Sequence, residues 1–188
     1  MPFPLPFVPK LAYSGPHAGR RYFKAPRPNG RRHAGCDLIA PLGTDIFAVA
    51  DGIVVELSRQ FYRGTSAIAI QHPSLPGMKG DKYIVRYCEI LDRKHDSAFF
   101  GKLRLGSEVV AGQTIAKVGK MERDSMLHFE LYSGLIPAGH LSMSSGRDCN
   151  AELKRRKDVI DPTPLLDELA KEVQDVMIFS LAETGVRA

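Results

Sequence analysis

Between residues 44 and 132 the chain is a series of short β-prone runs cut by glycine, and few architectures accept such a sequence. Residues 45–50 and 53–57 flank Asp51-Gly52, the dipeptide that predicts a β-hairpin. Residues 66–71 alternate and end at His72-Pro73. Residues 82–91 predict a strand with Tyr83, Val85, Tyr87 and Glu89 on one face. Ile84, Arg86, Cys88 and Ile90 take the other, because strand side chains alternate. Gly106, Gly112 and Gly119 split the next stretch into runs too short for helices. Residues 125–132 predict a last strand that sends Leu127, Phe129 and Leu131 to a core and Met126, His128 and Glu130 the other way. Helical periodicity comes only after Asp161. Thr163 is placed to cap, Pro164 suits the first helical position, and Leu165, Leu169, Val173 and Val176 form one apolar stripe that docks on the parent domain. The expected fold is mainly β with a short C-terminal helix.

The 188 residues are enough for one cored domain with extensions. The expected division is an extended arm over 1–29 with anchors at residues 12–13 and 22–23, a main domain over 30–150, and a helical extension over 151–188. No apolar run approaches a membrane span. The first nine residues are apolar but hold four prolines and no basic start, a poor match to a signal peptide. Net charge is +5, which favours anionic partners, yet no aromatic-and-basic motif points to nucleic acid. The three cysteines, Cys36, Cys88 and Cys149, have no CxxC spacing and form no disulfide framework. Strand alternation places Cys36 and Cys88 behind any site built from their neighbours.

One stretch suggests chemistry. His33 and Asp37 lie four apart in Arg32-His33-Ala34-Gly35-Cys36-Asp37. That spacing puts both on one face of a strand or of a helix, and Gly35, Pro41 and Gly43 favour extended chain. An imidazole and a carboxylate suit zinc. Taken alone, such a pair is most often a surface pair, and a metal site needs a third ligand further along. His17, His95 and His140 read as solvated or partnerless, and His72 as a capping or solvated residue.

The pattern of motifs resembles the lysostaphin/LytM-type zinc metalloendopeptidases of bacterial peptidoglycan. The resemblance rests on 32–37, on Ala48-Val49-Ala50-Asp51-Gly52-Ile53-Val54, on 109–119 and on Leu127-His128-Phe129-Glu130, in the family's order. It covers roughly residues 30–135. It implies an antiparallel β-sheet groove fold and one zinc ion. It also implies His33, Asp37 and His128 as ligands, with a fourth position open as in catalytic zinc sites.

The chain departs from that family twice. Met126 stands where the first histidine of the family's His-x-His motif is usual, and Glu89 where the central strand usually carries a histidine. The three ligands remain while both proton-handling histidines are gone. Glu89 beside Met126 resembles a paired pattern in relatives of this type, a coordinated substitution. The expected mechanism uses Glu89 as base, Tyr87 as a donor to the oxyanion, and Glu130 as the group orienting a ligand histidine. The expected function is zinc-dependent hydrolysis of peptidoglycan peptides. The alternative is an inactive module that binds the wall or activates a partner hydrolase. A carrier domain of the biotinyl type is remote, since Lys120 lacks the expected flanks. Without a signal peptide, action in the periplasm or cell wall implies delivery by a phage or a contractile secretion machine, with an immunity protein as a possible partner.

Overall fold

The computed structural model describes residues 1–58, 60–92, 102–121, 124–136 and 140–183, with side chains given as far as 173. Its centre is an antiparallel sheet. The strands are β1 (Cys36–Ile39), β3 (Gly52–Ser58), β4 (Ser66–His72), β5 (Tyr83–Ile90), β6 (Glu108–Val109), β8 (Met126–Tyr132) and β11 (Val159–Ile160). They run in the order β1-β8-β5-β4-β3-β6, and β11 also pairs with β8. A separate ladder joins β2 (Asp45–Phe47) to β7 (Thr114–Lys117), and another joins β9 (Cys149–Asn150) to β10 (Arg155–Arg156). One helix, α1 (Thr163–Glu183), follows. The mainly β, antiparallel reading stands. The short strands β10 and β11 lie within 151–188, expected as a helical extension, and the helix begins only at Thr163.

The expected Asp51-Gly52 hairpin does not form. β2 pairs with β7 and not with β3. Gly52 is not in the left-handed backbone such a turn requires. It is glycine because a Cβ there would lie 2.5 Å from the Gln71 carbonyl oxygen. Asp51 is spent on tertiary bonds. Its carboxylate accepts the Ala111 N–H at 2.8 Å, and its carbonyl accepts from His72 Nδ1 at 2.9 Å. His72 is thus buried rather than solvated. His17 and His140 are exposed, and His95 lies outside the described residues.

The two faces of the sheet carry different cores. Leu38, Ile68, Ile70, Val85, Tyr87, Leu127, Phe129 and Leu131 pack with Ile46, Val49, Ile115 and Val118. The N-terminal arm joins them through Phe3 and Leu5 as well as Tyr13, so its anchoring starts earlier than the expected residues 12–13. Leu165, Leu166 and Leu169 dock α1 into the same cluster. Asp161, not Thr163, supplies the side-chain bond at the helix start: its Oδ1 accepts the Thr163 N–H at 2.9 Å. Val176 lies beyond the described side chains. The opposite face holds a smaller cluster of Ala34, Ala69, Ile84, Tyr132, Leu141, Leu153 and Val159. Much of that cover comes from the segment between residues 141 and 159.

Candidate metal centre

Register brings the site together. β1 and β8 pair with Asp37 opposite His128, and β5 and β8 pair with Cys88 opposite His128. Directly opposed residues share a face. His33 precedes β1, and Gly35 between them lets the strand close on β8: a Cβ at Gly35 would sit 2.3 Å from the Phe129 carbonyl oxygen.

His33 Nε2, His128 Nδ1 and Asp37 Oδ1 form a near-equilateral triangle. The edges are 3.0 Å between the imidazoles, 2.8 Å from His128 to Asp37 and 3.0 Å from His33 to Asp37. All three residues are buried. Their outward bonds fix which atoms face inward. His33 Nδ1 donates to the Tyr22 carbonyl at 2.9 Å, which leaves the Nε2 lone pair in the triangle when the ring is neutral. His128 Nε2 donates to Glu130 Oε1 at 2.9 Å, which turns its Nδ1 lone pair inward in the same way. Asp37 Oδ2 accepts from Arg27 Nη2 at 3.2 Å, leaving Oδ1 for the centre.

Three lone pairs about 3 Å apart need a cation among them. In the chain alone a proton serves. Burial works to lower the His128 pKa, but its bonds to Asp37 and Glu130 outweigh burial and raise it to about 9. Burial likewise works to raise the Asp37 pKa, and the bonds from His128 and His33 hold it well below the usual carboxylate range. Burial lowers the pKa of His33. A metal ion fits the same place, since an ion about 2 Å from each donor sits just off a triangle of this size. The donors His33, Asp37 and His128 form the single group of this kind among the described residues.

Glu130 holds His128 from behind and is fully buried. It also accepts from Arg155 Nε at 2.6 Å, Tyr132 Oη at 2.7 Å and Arg86 Nη1 at 3.4 Å. Burial would raise its pKa, but Arg155, His128 and Arg86 keep it well below the ordinary range. Phe61 stacks on His128 with centroids 6.0 Å apart and lies under both guanidiniums. Arg27, Phe61, Arg86 and Arg155 were not identifiable from sequence. Arg155 falls in a basic run, but no spacing ties it to Glu130.

Glu89 reaches the site by an unexpected route. Ala67 of β4 pairs with Cys88 and Ser66 with Ile90, so Glu89 is the extra residue of a β-bulge. Its φ is 62°, a left-handed backbone on a non-glycine residue. The bulge breaks the alternation that would place Glu89 with Tyr87. Glu89 instead lines the cleft beside His33, Asp37 and His128. Its Oε2 is buried with no partner among the described residues. Burial raises its pKa to about 7 against the opposing pull of His128.

Tyr87 does not join it. The Tyr87 hydroxyl is buried on the core face and accepts the Val49 N–H at 3.0 Å, so it is no donor to an oxyanion at this site. Cys36 lies behind the site as expected, against Thr163. Cys88 does not: it sits buried on the His128 face, near Glu130 and Arg86. Met126 lines the cleft, whose volume is about 810 Å³.

Fold and donor set define a mainly β protein with a three-donor candidate metal site at the floor of a cleft. Residues 31–140 match peptidase family M23, and the chain belongs to that family. Its fold is that of lysostaphin and LytM-type proteins. The catalytic domain of the antimicrobial peptidase lysostaphin from Staphylococcus simulans is similar at a TM-score of 0.52 and 22% identity, over 79% of this chain and 90% of that one. LytU is similar at 0.51 and 20%, over 84% and 91%. A longer lysostaphin structure from the same organism gives 0.54 and 21%, over 90% of this chain and 56% of that one, so this chain spans little more than half its length. No protein in the curated comparison matches.

Proposed function

We propose that the chain is a zinc-dependent endopeptidase acting on peptide bonds of bacterial peptidoglycan. Membership of a peptidase family supports the reaction class. The observation that carries the reading is Glu89, a buried carboxylate with an unpartnered oxygen, turned by a bulge into the cleft that holds the His-Asp-His triangle. A carboxyl group held without compensation at a cleft floor has a cost, and it is maintained where it handles protons.

His33, Asp37 and His128 would hold zinc, which when bound supplies Lewis acidity to the scissile carbonyl and to water. Glu130 fixes the His128 tautomer, and Arg27 fixes the carboxylate of Asp37. Glu89, with its pKa near 7, takes a proton from the attacking water as the new C–O bond forms. The same carboxyl then delivers that proton to the leaving amine as the C–N bond breaks.

Met126 favours a second reading. It lines the cleft and moves no protons, as an inactive wall-binding module would allow. Digestion of muropeptides with and without chelator, by wild type and Glu89→Gln, separates the two. The endopeptidase reading expects cleavage by wild type that chelation abolishes and that Glu89→Gln lowers by about 10²–10⁴-fold. Zinc bound with no product from any wall preparation would establish the binding module.

A further inference from the structure

One wall of the cleft is basic and mostly uncommitted. Arg27, Arg31, Arg32, Lys154 and Arg155 line it, against the acids Asp37 and Glu89. Two of the cations are spent, Arg27 on Asp37 and Arg155 on Glu130. Arg31, Arg32 and Lys154 have no ion pair among the described residues, and Arg31 Nε is buried without a hydrogen-bond partner. These three belong to one wall, because the Arg32 N–H donates to the Glu152 carbonyl at 2.9 Å.

Backbone geometry marks the same wall. Among the described residues five non-glycine positions have left-handed backbones, and two of them, Asn29 and Lys154, lie on this wall, with Glu89 facing them across the cleft. Such conformations cost about 1 kcal/mol or more and gather where a ligand is held. Lys154, at φ 50°, is placed by one of them.

We infer that residues 27–32 and 152–155 form a carboxylate-binding subsite, where Arg31, Arg32 and Lys154 take a free carboxylate of the bound peptide. Arg31 is half-buried at the cleft, and a partly desolvated guanidinium without an anion gains more from a carboxylate than from a neutral group. The inference deepens the peptidase reading, on which it rests: the substrate is an acidic peptide with its carboxylates unblocked. Amidated wall peptides would be poor ligands. Lys154 lies beyond the family-matched stretch, whereas Arg31 and Arg32 open it, so the subsite joins the shared domain to a segment outside it.

Binding can be read without turnover. The full chain carrying Glu89→Gln, loaded with zinc, is titrated calorimetrically with L-Ala-γ-D-Glu-L-Lys and with the same peptide amidated at both carboxylates. The expected result is at least about tenfold tighter binding of the free acid, a gap narrowed by added salt as ion pairs require. Adding Arg31→Gln, Lys154→Asn or both should remove the gap and leave the amidated peptide unaffected. Asn suits the left-handed position, so the Lys154 variant guards against misfolding. Equal binding of the two peptides, or a preference that survives both substitutions, overturns the subsite and leaves the peptidase reading intact. Failure of both peptides to bind the zinc-loaded chain overturns the wall-peptide reading and the subsite with it.

Discussion

Glu130 shows how much one buried side chain can organise. It answers His128, Arg155, Arg86 and Tyr132 at once. Glu130→Gln would leave the Arg155 guanidinium without its anion, while Arg86 would keep Glu56 at 2.6 Å. We expect a loss of about 3–5 kcal/mol in urea unfolding. Zinc affinity should also fall by about 10–100-fold as His128 loses its brace. His72 gives a pH prediction well away from the triangle. Burial lowers its pKa below the ordinary 6.5, and its Nε2 is buried with no partner among the described residues. The unfolded chain therefore takes up the proton first. Stability from this group is complete above about pH 6.5 and is lost as the pH falls through the lowered value. His72→Asn keeps a donor toward the Asp51 carbonyl and does not titrate, so its unfolding free energy should fall less between pH 7 and 5. Equal slopes for the two proteins would refute the assignment.

At the scale of the strand, what could be read from sequence and what could not divide on a physical line. The alternation of Leu127, Phe129 and Leu131 against His128 and Glu130 was legible because β8 is regular and each face has its own surroundings. Glu89 and Tyr87 were misassigned to one face because a bulge adds a residue without changing composition. Cys88 differs from expectation for the same reason: strict alternation from Glu89 puts it behind the site, whereas the bulge leaves it opposite His128. Asp51-Gly52 misled in another way. The local turn signal lost to contacts made far along the chain, since Gly52 is required against Gln71 and Asp51 against Ala111. Gly35 offers a test of the strand pairing. Gly35→Ala would drive a methyl group into the Phe129 carbonyl and push β1 off β8. A loss of about 1–3 kcal/mol is expected. The distinguishing readout is zinc affinity, which should drop too because His33 and Asp37 flank the displaced residue.

Over the whole molecule, the triangle links positions 91 and 95 residues apart. An ion held there would restrain β1 and its approach against β8 in the folded chain and have no counterpart in the unfolded one. Zinc at 100 times its dissociation constant should therefore add about 2.7 kcal/mol of stability. A thermal shift seen in wild type and absent in His128→Ala would verify it, and chelator should reverse it. The motifs around His33, Asp37 and His128 were legible across such distances because each is local. The braces were not, because Arg27 and Arg155 are recognisable only once the chain is folded.

The segment between residues 141 and 159 has an evolutionary consequence. It brings Lys154 and Arg155 to the cleft, yet all of it lies past the stretch matched by the family, which ends at residue 140. A descendant that traded this tail for another would change the cleft twice, losing Lys154 from its rim and withdrawing Arg155 from the Glu130 that steadies His128.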